Sequence, residues 1–348
     1  RDGVVGAFGR FLDLPESRST LSRGLRDQSM AAPVPDLGAL LGRRPYADLT
    51  PCEASPCRPA IFVTGRFRSG STLVWNLFRH TPGVVAYYEP LNERRWFDPA
   101  RRSAGTDPTH LGVSNYWAEY DGLEELAGVY DEAWTHRQLY MTADAWAPGL
   151  KRYIDTLIRH AAGIPVLQFN RVDFRLPWLK RHYPNARLVH VYRHPRDQWL
   201  STLGRARPDM RDLRLATYRP FDGFYLENWG RDLSLVFPFL ATAPDDHPYE
   251  LFFQIWRLSY LFGVEYAHGS IAFEDLLADP RASITRLMTL SGLEQYPLDT
   301  LTGLVEPVGV AKWASLPGAE VLPGIEARVE ATLREYFGAT GAVSPAIA

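Results

Sequence analysis

Residues 63–78, VTGRFRSGSTLVWNLF, decide the fold of this chain. They continue a short apolar run, AIFVTG, into a segment with helical spacing, which predicts a strand, a loop and a helix. The spacing from Gly65 to Gly70 and Thr72 fits the phosphate-binding pattern G-x-x-x-x-G-K-[ST], except that Ser71 replaces the lysine. The stretch therefore predicts an anion-binding loop at the start of a helix, without the usual lysine.

Short apolar runs alternate with helical patterns along the rest of the chain. Further strands are predicted at GVVAYYEP, PVLQF, ARLVHVY and SIAF, and further helices near residues 149–162, 176–182, 195–203, 248–268, 280–290 and 323–337. Strands that alternate with helices are typical of a parallel sheet. We therefore expect an α/β, P-loop-like three-layer fold with a central parallel sheet flanked by helices.

The chain divides into an N-terminal extension and one large domain. Residues 1–58 lack a strong period and contain several prolines, which predicts an extension that wraps over a core. Residues 59–348 form the predicted domain. Two aromatic-rich regions, 91–147 and 205–245, are too long to be simple connections. They are candidate acceptor-binding or lid regions, or else mostly core and the interface of a homodimer.

Composition excludes several classes of protein. A chain of 348 residues with 46% hydrophobic content can fill a globular core, and a net charge of −2 argues against broad nucleic-acid binding. Cys52 and Cys57 are too few ligands for a zinc site. The most apolar run, residues 233–243, is about half a membrane-spanning helix and contains a proline, so no transmembrane segment is expected. The first residue is arginine, which leaves open a processed chain and a removed signal sequence.

The missing lysine distinguishes between reactions. A kinase or ATPase of this architecture needs that lysine and an acidic residue that holds Mg²⁺ after another strand, and the sequence has neither at the expected place. Instead, Arg68 lies inside the loop, two residues before Gly70, where it can contact an anion from the side. The alternative for the loop alone is a glycine-containing turn with a surface arginine.

The loop resembles the 5′-phosphosulfate-binding loop of sulfotransferases that use 3′-phosphoadenosine 5′-phosphosulfate. A second segment, LVHVYRHPRDQWLST, is similar to that family's 3′-phosphate site, which has an arginine and a serine eight positions apart. Taken alone, this arginine could pair with Asp197, and the serine could be an ordinary helix hydroxyl. The resemblance implies that the donor is bound by Arg68, Ser69, Gly70, Ser71, Thr72, Arg193 and Ser201.

Two later segments extend the resemblance. IAFEDLLADPRASITRLMTLSGL resembles a family segment that would place Phe273 against the adenine. VGVAKWASLP loosely resembles a C-terminal loop that closes over the nucleotide, which makes Lys312 and Trp313 candidates for the 3′-phosphate and the base. The resemblance covers roughly residues 59–292, apart from the aromatic regions.

The resemblance also implies the catalytic groups. Arg68 occupies the position where cytosolic family members have a lysine that bonds the bridging oxygen. Asn170 aligns with their catalytic histidine, so Glu89 in YYEPL is the expected base, as in saccharide and tyrosyl-protein sulfotransferases. Without the family, Glu89 could be a surface carboxylate or could pair with Arg94 or Arg95.

The expected reaction is sulfuryl transfer to a hydroxyl, with fixed cations and no metal stabilising the leaving phosphate. Asn170 and Arg171 either contact the acceptor or pack at the edge of the core. We expect a carbohydrate or glycoconjugate acceptor, with a phenolic or alcoholic natural product as a rival. A nucleotide kinase and an inactive nucleotide-binding protein are the alternatives from other classes. Cytoplasmic location is expected, because bacteria make the donor there.

Overall fold

The computed structural model describes residues 59–102, 105–107, 110 and 112–340. The predicted N-terminal extension, residues 1–58, lies outside these ranges together with Cys52 and Cys57. In the described part of the chain, no helix is both long enough and apolar enough to cross a membrane.

Five parallel strands form one sheet in the order β2-β3-β1-β4-β5. The first strand, β1, lies at the centre, with β3 and β4 as its neighbours. Its four residues are completely buried, which explains why their sequence is uniformly apolar or carries a small hydroxyl. The strands are β1 (Ile61–Thr64), β2 (Val84–Tyr88), β3 (Ile164–Phe169), β4 (Arg187–Tyr192) and β5 (Gly269–Ala272).

Helices connect the strands and follow the last one. Several begin with proline in the first turn, where the missing N–H costs nothing. In chain order they are α1 (Ser71–Arg79), α2 (Pro148–His160), α3 (Leu176–His182), α4 (Pro195–Thr202), α5 (Leu215–Tyr218), α6 (Leu226–Leu233), α7 (Pro248–Tyr266), α8 (Phe273–Ala278), α9 (Pro280–Ser291), α10 (Leu298–Thr302) and α11 (Leu322–Thr340).

One face of the sheet carries α1 and α9. In the register of the sheet, each residue pairs with one residue on the neighbouring strand. Followed across all five strands, these pairs form a row that begins at Tyr88 on β2 and ends at Gly269 on β5. The ring of Trp75 on α1 packs against Tyr88 with centroids 4.8 Å apart. Leu290 on α9 packs so closely on Gly269 that a Cβ there would lie 2.7 Å from its side chain. Both helices therefore cover the same face.

The opposite face carries α7. His190 is the next residue along β4 and points the other way, as alternation in a strand requires. Its ring packs against Gly263 of α7, where a Cβ would lie 2.4 Å from the imidazole. Helices on both faces of a parallel sheet make three layers, so the predicted fold class is confirmed.

The two aromatic regions differ from each other in the structure. The described residues of region 91–147 form short 3₁₀ turns and no α-helix or strand, whereas region 205–245 contains the helices α5 and α6, which the sequence did not predict. Trp229 of α6 is fully buried in the main apolar cluster. Part of this region is therefore core, and the eight-residue helix was too short to be recognised by its period.

Candidate active site

Every strand of the sheet delivers a predicted site residue at its carboxyl end. The loop to Gly70 follows β1, and the residues immediately after the other four strands are Glu89, Asn170, Arg193 and Phe273. The carboxyl ends of parallel strands meet at one edge of the sheet, where open α/β folds bind their ligands. All of these residues line one cleft of about 1200 Å³.

The loop after β1 is built around Gly70, which precedes the first residue of α1 and has a backbone φ of 90°. A Cβ at Gly70 would lie 2.2 Å from the ring of Phe273, so this close approach requires glycine as well. Ser71 and Thr72 open the helix, where the first N–H groups have no intrahelical acceptors. The helix start therefore presents donors and a partial positive charge to the cleft.

The two predicted anion sites are joined in the structure. Arg68 Nε donates to Ser201 Oγ at 2.9 Å, and Arg193 Nη1 lies 3.5 Å from the carbonyl oxygen of Arg68. The Arg193 guanidinium lies 4.9 Å from the ring centroid of Phe273, and its buried Nε has no hydrogen-bond partner within the described ranges. Burial lowers the pKa of Arg193, with Asp197 opposing the shift, so this cation lacks the solvation that an anion would restore.

Glu89 lies at the cleft with its residue only 9% exposed and its backbone φ at 39°, in the left-handed region. Asn92 Nδ2 donates to Glu89 Oε2 at 2.5 Å, and Arg171 Nη1 lies 3.7 Å from the same oxygen. The cation beside Glu89 is thus Arg171, and Arg95 pairs with Glu132 instead. The neighbouring arginines in sequence were the wrong partners to consider.

Arg171 is held by several contacts and is 2% exposed. Its Nη2 donates to Glu93 Oε2 at 2.5 Å, its Nη1 donates to Asn170 Oδ1 at 2.5 Å, and its guanidinium lies 4.8 Å from the ring centroid of Phe67. Arg171 and Asn170 both line the cleft. Arg171 thus contacts Asn170 and the carboxylates of Glu89 and Glu93. These contacts indicate that Arg171 fixes the position of Glu89 and also forms part of the cleft wall.

The segment around Lys312 is fastened to α4. Asp197, which is 3% exposed, accepts from Ala311 N at 2.7 Å and from Trp313 N at 3.1 Å. Lys312 lines the cleft, but Trp313 and Ser69 do not. The Trp313 ring instead contacts Arg196 of α4 and the preceding His194, with the Arg196 guanidinium 4.3 Å from its centroid and the His194 ring stacked at 6.2 Å. Ser69 lies within the loop, with its Oγ buried and unpartnered.

The far wall of the cleft contains residues that sequence reasoning missed. Tyr88 OH lies 3.0 Å from Thr72 Oγ1, and the Tyr88 ring stacks on Tyr116 at 4.6 Å. The hydroxyl of Tyr116 lies 2.6 Å from His110 Nδ1. Burial lowers the pKa of His110 to about 4, with Arg68 adding to the shift, so its ring is neutral at pH 7. Thr72 and Tyr88 belong to a predicted loop and strand, but their link to Tyr116 and His110 is a tertiary contact for which the sequence carried no signal.

The sequence profile of the sulfotransferase family matches residues 59–255, which is more than half of the chain. The chain belongs to the sulfotransferase family. The matched range contains the loop, Glu89, Asn170 and the segment from Arg193 to Ser201. No curated protein matches this sulfotransferase with a significant score.

Solved structures of bacterial sulfotransferases resemble the chain distantly. The sulfotransferase domain from the Synechococcus PCC 7002 olefin synthase is 17% identical, with 81% of this chain and 96% of that chain covered and a TM-score of 0.39. Sulfotransferase STF9 from Mycobacterium avium is 14% identical, with 85% and 80% covered and a TM-score of 0.43. A sulfotransferase from Alicyclobacillus acidocaldarius is 18% identical, with 81% and 97% covered and a TM-score of 0.40.

The family implies an anionic sulfate donor, and the described residues fit one. The unpartnered Nε of Arg193, the start of α1 and the Arg68 guanidinium all belong to the same cleft wall. Within the described ranges, no group of three or more His, Cys, Asp or Glu side chains could hold a metal ion. The sulfotransferase cleft is thus equipped with cations and helix N–H groups for anion binding.

Proposed function

We propose that this sulfotransferase transfers a sulfuryl group from 3′-phosphoadenosine 5′-phosphosulfate to a hydroxyl group. The observation that carries the proposal is the contact between Arg68 Nε and Ser201 Oγ, with Arg193 beside it. These two contacts place the loop before α1 next to Ser201 in the last turn of α4 and next to Arg193, which precedes that helix, so that one ligand with two anionic groups can bridge them. The donor supplies a phosphosulfate at its 5′ end and a phosphate at its 3′ position.

The residues of the chain have distinct tasks in this reaction. The N–H groups at the start of α1 and the Arg68 guanidinium stabilise the charge that develops on the leaving phosphate. Arg193 and Ser201 bind the 3′-phosphate, and Lys312 adds a third cation at the mouth of the cleft. Phe273 offers its ring to the adenine. These fixed groups stabilise the transition state without having to reorganise.

Glu89 acts as the general base. Asn92 and Arg171 both contact Oε2, so we assign the proton of the acceptor hydroxyl to Oε1. The left-handed backbone at Glu89 supports a functional constraint, because a non-glycine residue adopts it at a cost. Arg171 positions the carboxylate and is therefore a positioning residue for the base.

The substitution Glu89→Gln tests this role, because it keeps the shape of the side chain and removes the base. We expect turnover to fall by a factor of about 100 to 10,000, the usual contribution of a general base. The affinity for adenosine 3′,5′-bisphosphate, measured by calorimetry, should change by less than about threefold, because Glu89 lies outside the groups assigned to the nucleotide. Near-wild-type turnover would remove Glu89 from the mechanism.

Glu93→Gln is the matched control for this test. Glu93 also lines the cleft and also pairs with Arg171, but it lies four residues beyond the proposed base. Its loss should alter acceptor KM more than turnover. If both variants lost turnover equally, the cause would be the lost negative charge beside Arg171. Glu89 would then not be the proton acceptor.

We propose a carbohydrate or glycoconjugate as the acceptor. The rings of Trp96, Phe224 and Tyr225 line the cleft together with the charged groups of Glu93 and Arg94, and this mixture suits a molecule with apolar faces and many hydroxyls. A phenolic or alcoholic natural product is the rival acceptor class. A screen of both classes with radiolabelled sulfate donor distinguishes them. Cytoplasmic location and a homodimer also remain predictions, which cell fractionation and sedimentation check.

A further inference from the structure

The side-chain amide of Asn76 on α1 is buried and has no hydrogen-bond partner among the residues that the structure describes. The residue is 1% exposed, and both Nδ2 and Oδ1 are buried without a partner. An unpaired buried amide destabilises a protein, so such a group calls for an explanation. Asn76 also lines the cleft, which means that a bound molecule can supply the missing donor and acceptor.

Its position on α1 indicates which part of a ligand it meets. Leu73 lies three residues earlier, on the same side of the helix, and also lines the cleft. Asn76 is six residues beyond Gly70, about 9 Å further along the helix axis. Gly70 is the residue that the Phe273 ring covers. In the proposed function, the nucleotide binds next to Gly70. The part of the cleft that Asn76 lines therefore starts near the nucleotide and extends away from the edge of the sheet.

The geometry of sulfuryl transfer separates the acceptor and its base from the leaving phosphate. In-line transfer requires the acceptor hydroxyl and the leaving phosphate on opposite sides of the sulfur atom. Glu89, Asn92 and Arg171 mark the acceptor side, following β2 and β3 at the edge of the sheet. Asn76 follows neither strand, and it lies beyond Leu73 on the helix whose N-cap, Gly70, contacts the Phe273 ring, so we assign it to the nucleotide side.

We infer that Asn76 recognises the adenine of the sulfate donor through paired hydrogen bonds. This inference rests on the proposed function. Adenine presents an amino donor next to a ring-nitrogen acceptor, and an amide side chain can pair with both at once. Leu73, Val113, Phe273, Leu277, Leu304 and Val308 supply apolar lining in the same cleft, as an aromatic base requires. Asn76 is thus a residue that determines the choice of nucleobase.

Calorimetry with two nucleotides tests the inference. Adenosine 3′,5′-bisphosphate and the same bisphosphate carrying unsubstituted purine differ only in the amino group that Asn76 Oδ1 would accept. We expect the wild-type protein to bind the adenine compound at least tenfold more tightly, because the analogue leaves the amide oxygen unpaired. In Asn76→Leu the preference should fall below about threefold, and the melting temperature without ligand should not decrease.

Gln168→Leu is the matched control, since Gln168 is also a buried amide with both polar atoms unpartnered but does not line the cleft. It should keep the wild-type preference for adenine. An unchanged preference in Asn76→Leu would overturn the inference, and so would a loss of melting temperature with equal weakening of both nucleotides. Absence of binding of either bisphosphate by the wild-type protein would overturn the proposed donor, and the inference with it.

Discussion

Gly70 combines a φ of 90° with a ring contact that leaves no space for a Cβ. We predict that Gly70→Ala destabilises the protein by about 1–3 kcal/mol through backbone strain and displacement of Phe273. The affinity for adenosine 3′,5′-bisphosphate should fall at least tenfold, because the loop and the ring both move. Chemical unfolding and calorimetry measure the two effects.

Gly83→Ala serves as the control for backbone strain alone. Gly83 has a similar φ of 76°, and nothing lies within 4 Å of a Cβ added there. It should lower the free energy of unfolding by about 1 kcal/mol and leave nucleotide affinity unchanged. If both variants keep full nucleotide affinity, the contact between Gly70 and Phe273 has no role in binding.

The sequence predicted the positions of the candidate residues in the fold better than it predicted their partners. Glu89, Asn170 and Arg193 could be placed at the sheet edge because each directly follows a recognisable strand. The partner of Glu89 is Arg171, which is far away in sequence and becomes a neighbour only through the pairing of β2 with β3. The left-handed backbone of Arg68 and Glu89 could not be predicted either, since their residue types do not favour it.

At the scale of elements, the segment that carries Lys312 depends on one carboxylate of α4. Asp197 is nearly buried and accepts from two N–H groups of that segment, those of Ala311 and Trp313. We predict that Asp197→Asn weakens binding of adenosine 3′,5′-bisphosphate by about tenfold, because the amide cannot accept both bonds on its two terminal atoms. Turnover at saturating donor should change much less than the donor KM.

Asp232→Asn is the control for a carboxylate that loses one of two hydrogen bonds from backbone N–H groups. Asp232 also accepts from two backbone N–H groups, those of Gln138 and Leu139, but does not line the cleft. It should lower stability by a similar amount and leave donor KM unchanged. Should both variants raise donor KM equally, the effect would be one of general stability and not of the Lys312 segment.

The regular elements were predictable because their hydrophobic periods are strong. The strands were found to within a few residues, and α1, α4 and α7 begin where glycine or proline predicted. The wall formed by Tyr88, Tyr116 and His110 was not predictable, since tertiary contacts join the end of β2 to residues outside the helices and strands. The edge of the sheet could therefore be predicted from local sequence patterns. The shape of the cleft could not, because it depends on packing between distant parts of the chain.

For the whole molecule, His190 couples stability to pH. Its ring is buried between β4 and α7, and burial lowers its pKa to about 4. An unfolded histidine titrates near 6.5, so between these values the unfolded chain binds more protons than the folded one. The free energy of unfolding should therefore fall as the pH falls from 7 to 4, by up to about 3 kcal/mol from this residue.

The substitution His190→Phe tests this coupling, because it keeps a ring in the core and removes the titration. Urea unfolding between pH 7 and 4 should give a shallower loss of stability than in the wild-type protein. Some dependence should remain, since burial also lowers the pKa of His110 and of His182 to about 4. An identical pH dependence in the variant would show that His190 does not contribute to it.

In the proposed function, the cleft binds a nucleotide through a 3′-phosphate as well as a 5′ anion. Calorimetry with adenosine 3′,5′-bisphosphate and with ATP, each with and without Mg²⁺, tests this mode of binding. We predict that the bisphosphate binds at least tenfold more tightly than ATP and that Mg²⁺ does not change its affinity. Tighter binding of ATP that depends on Mg²⁺ would show that the cleft is a triphosphate site and not a site for the sulfate donor.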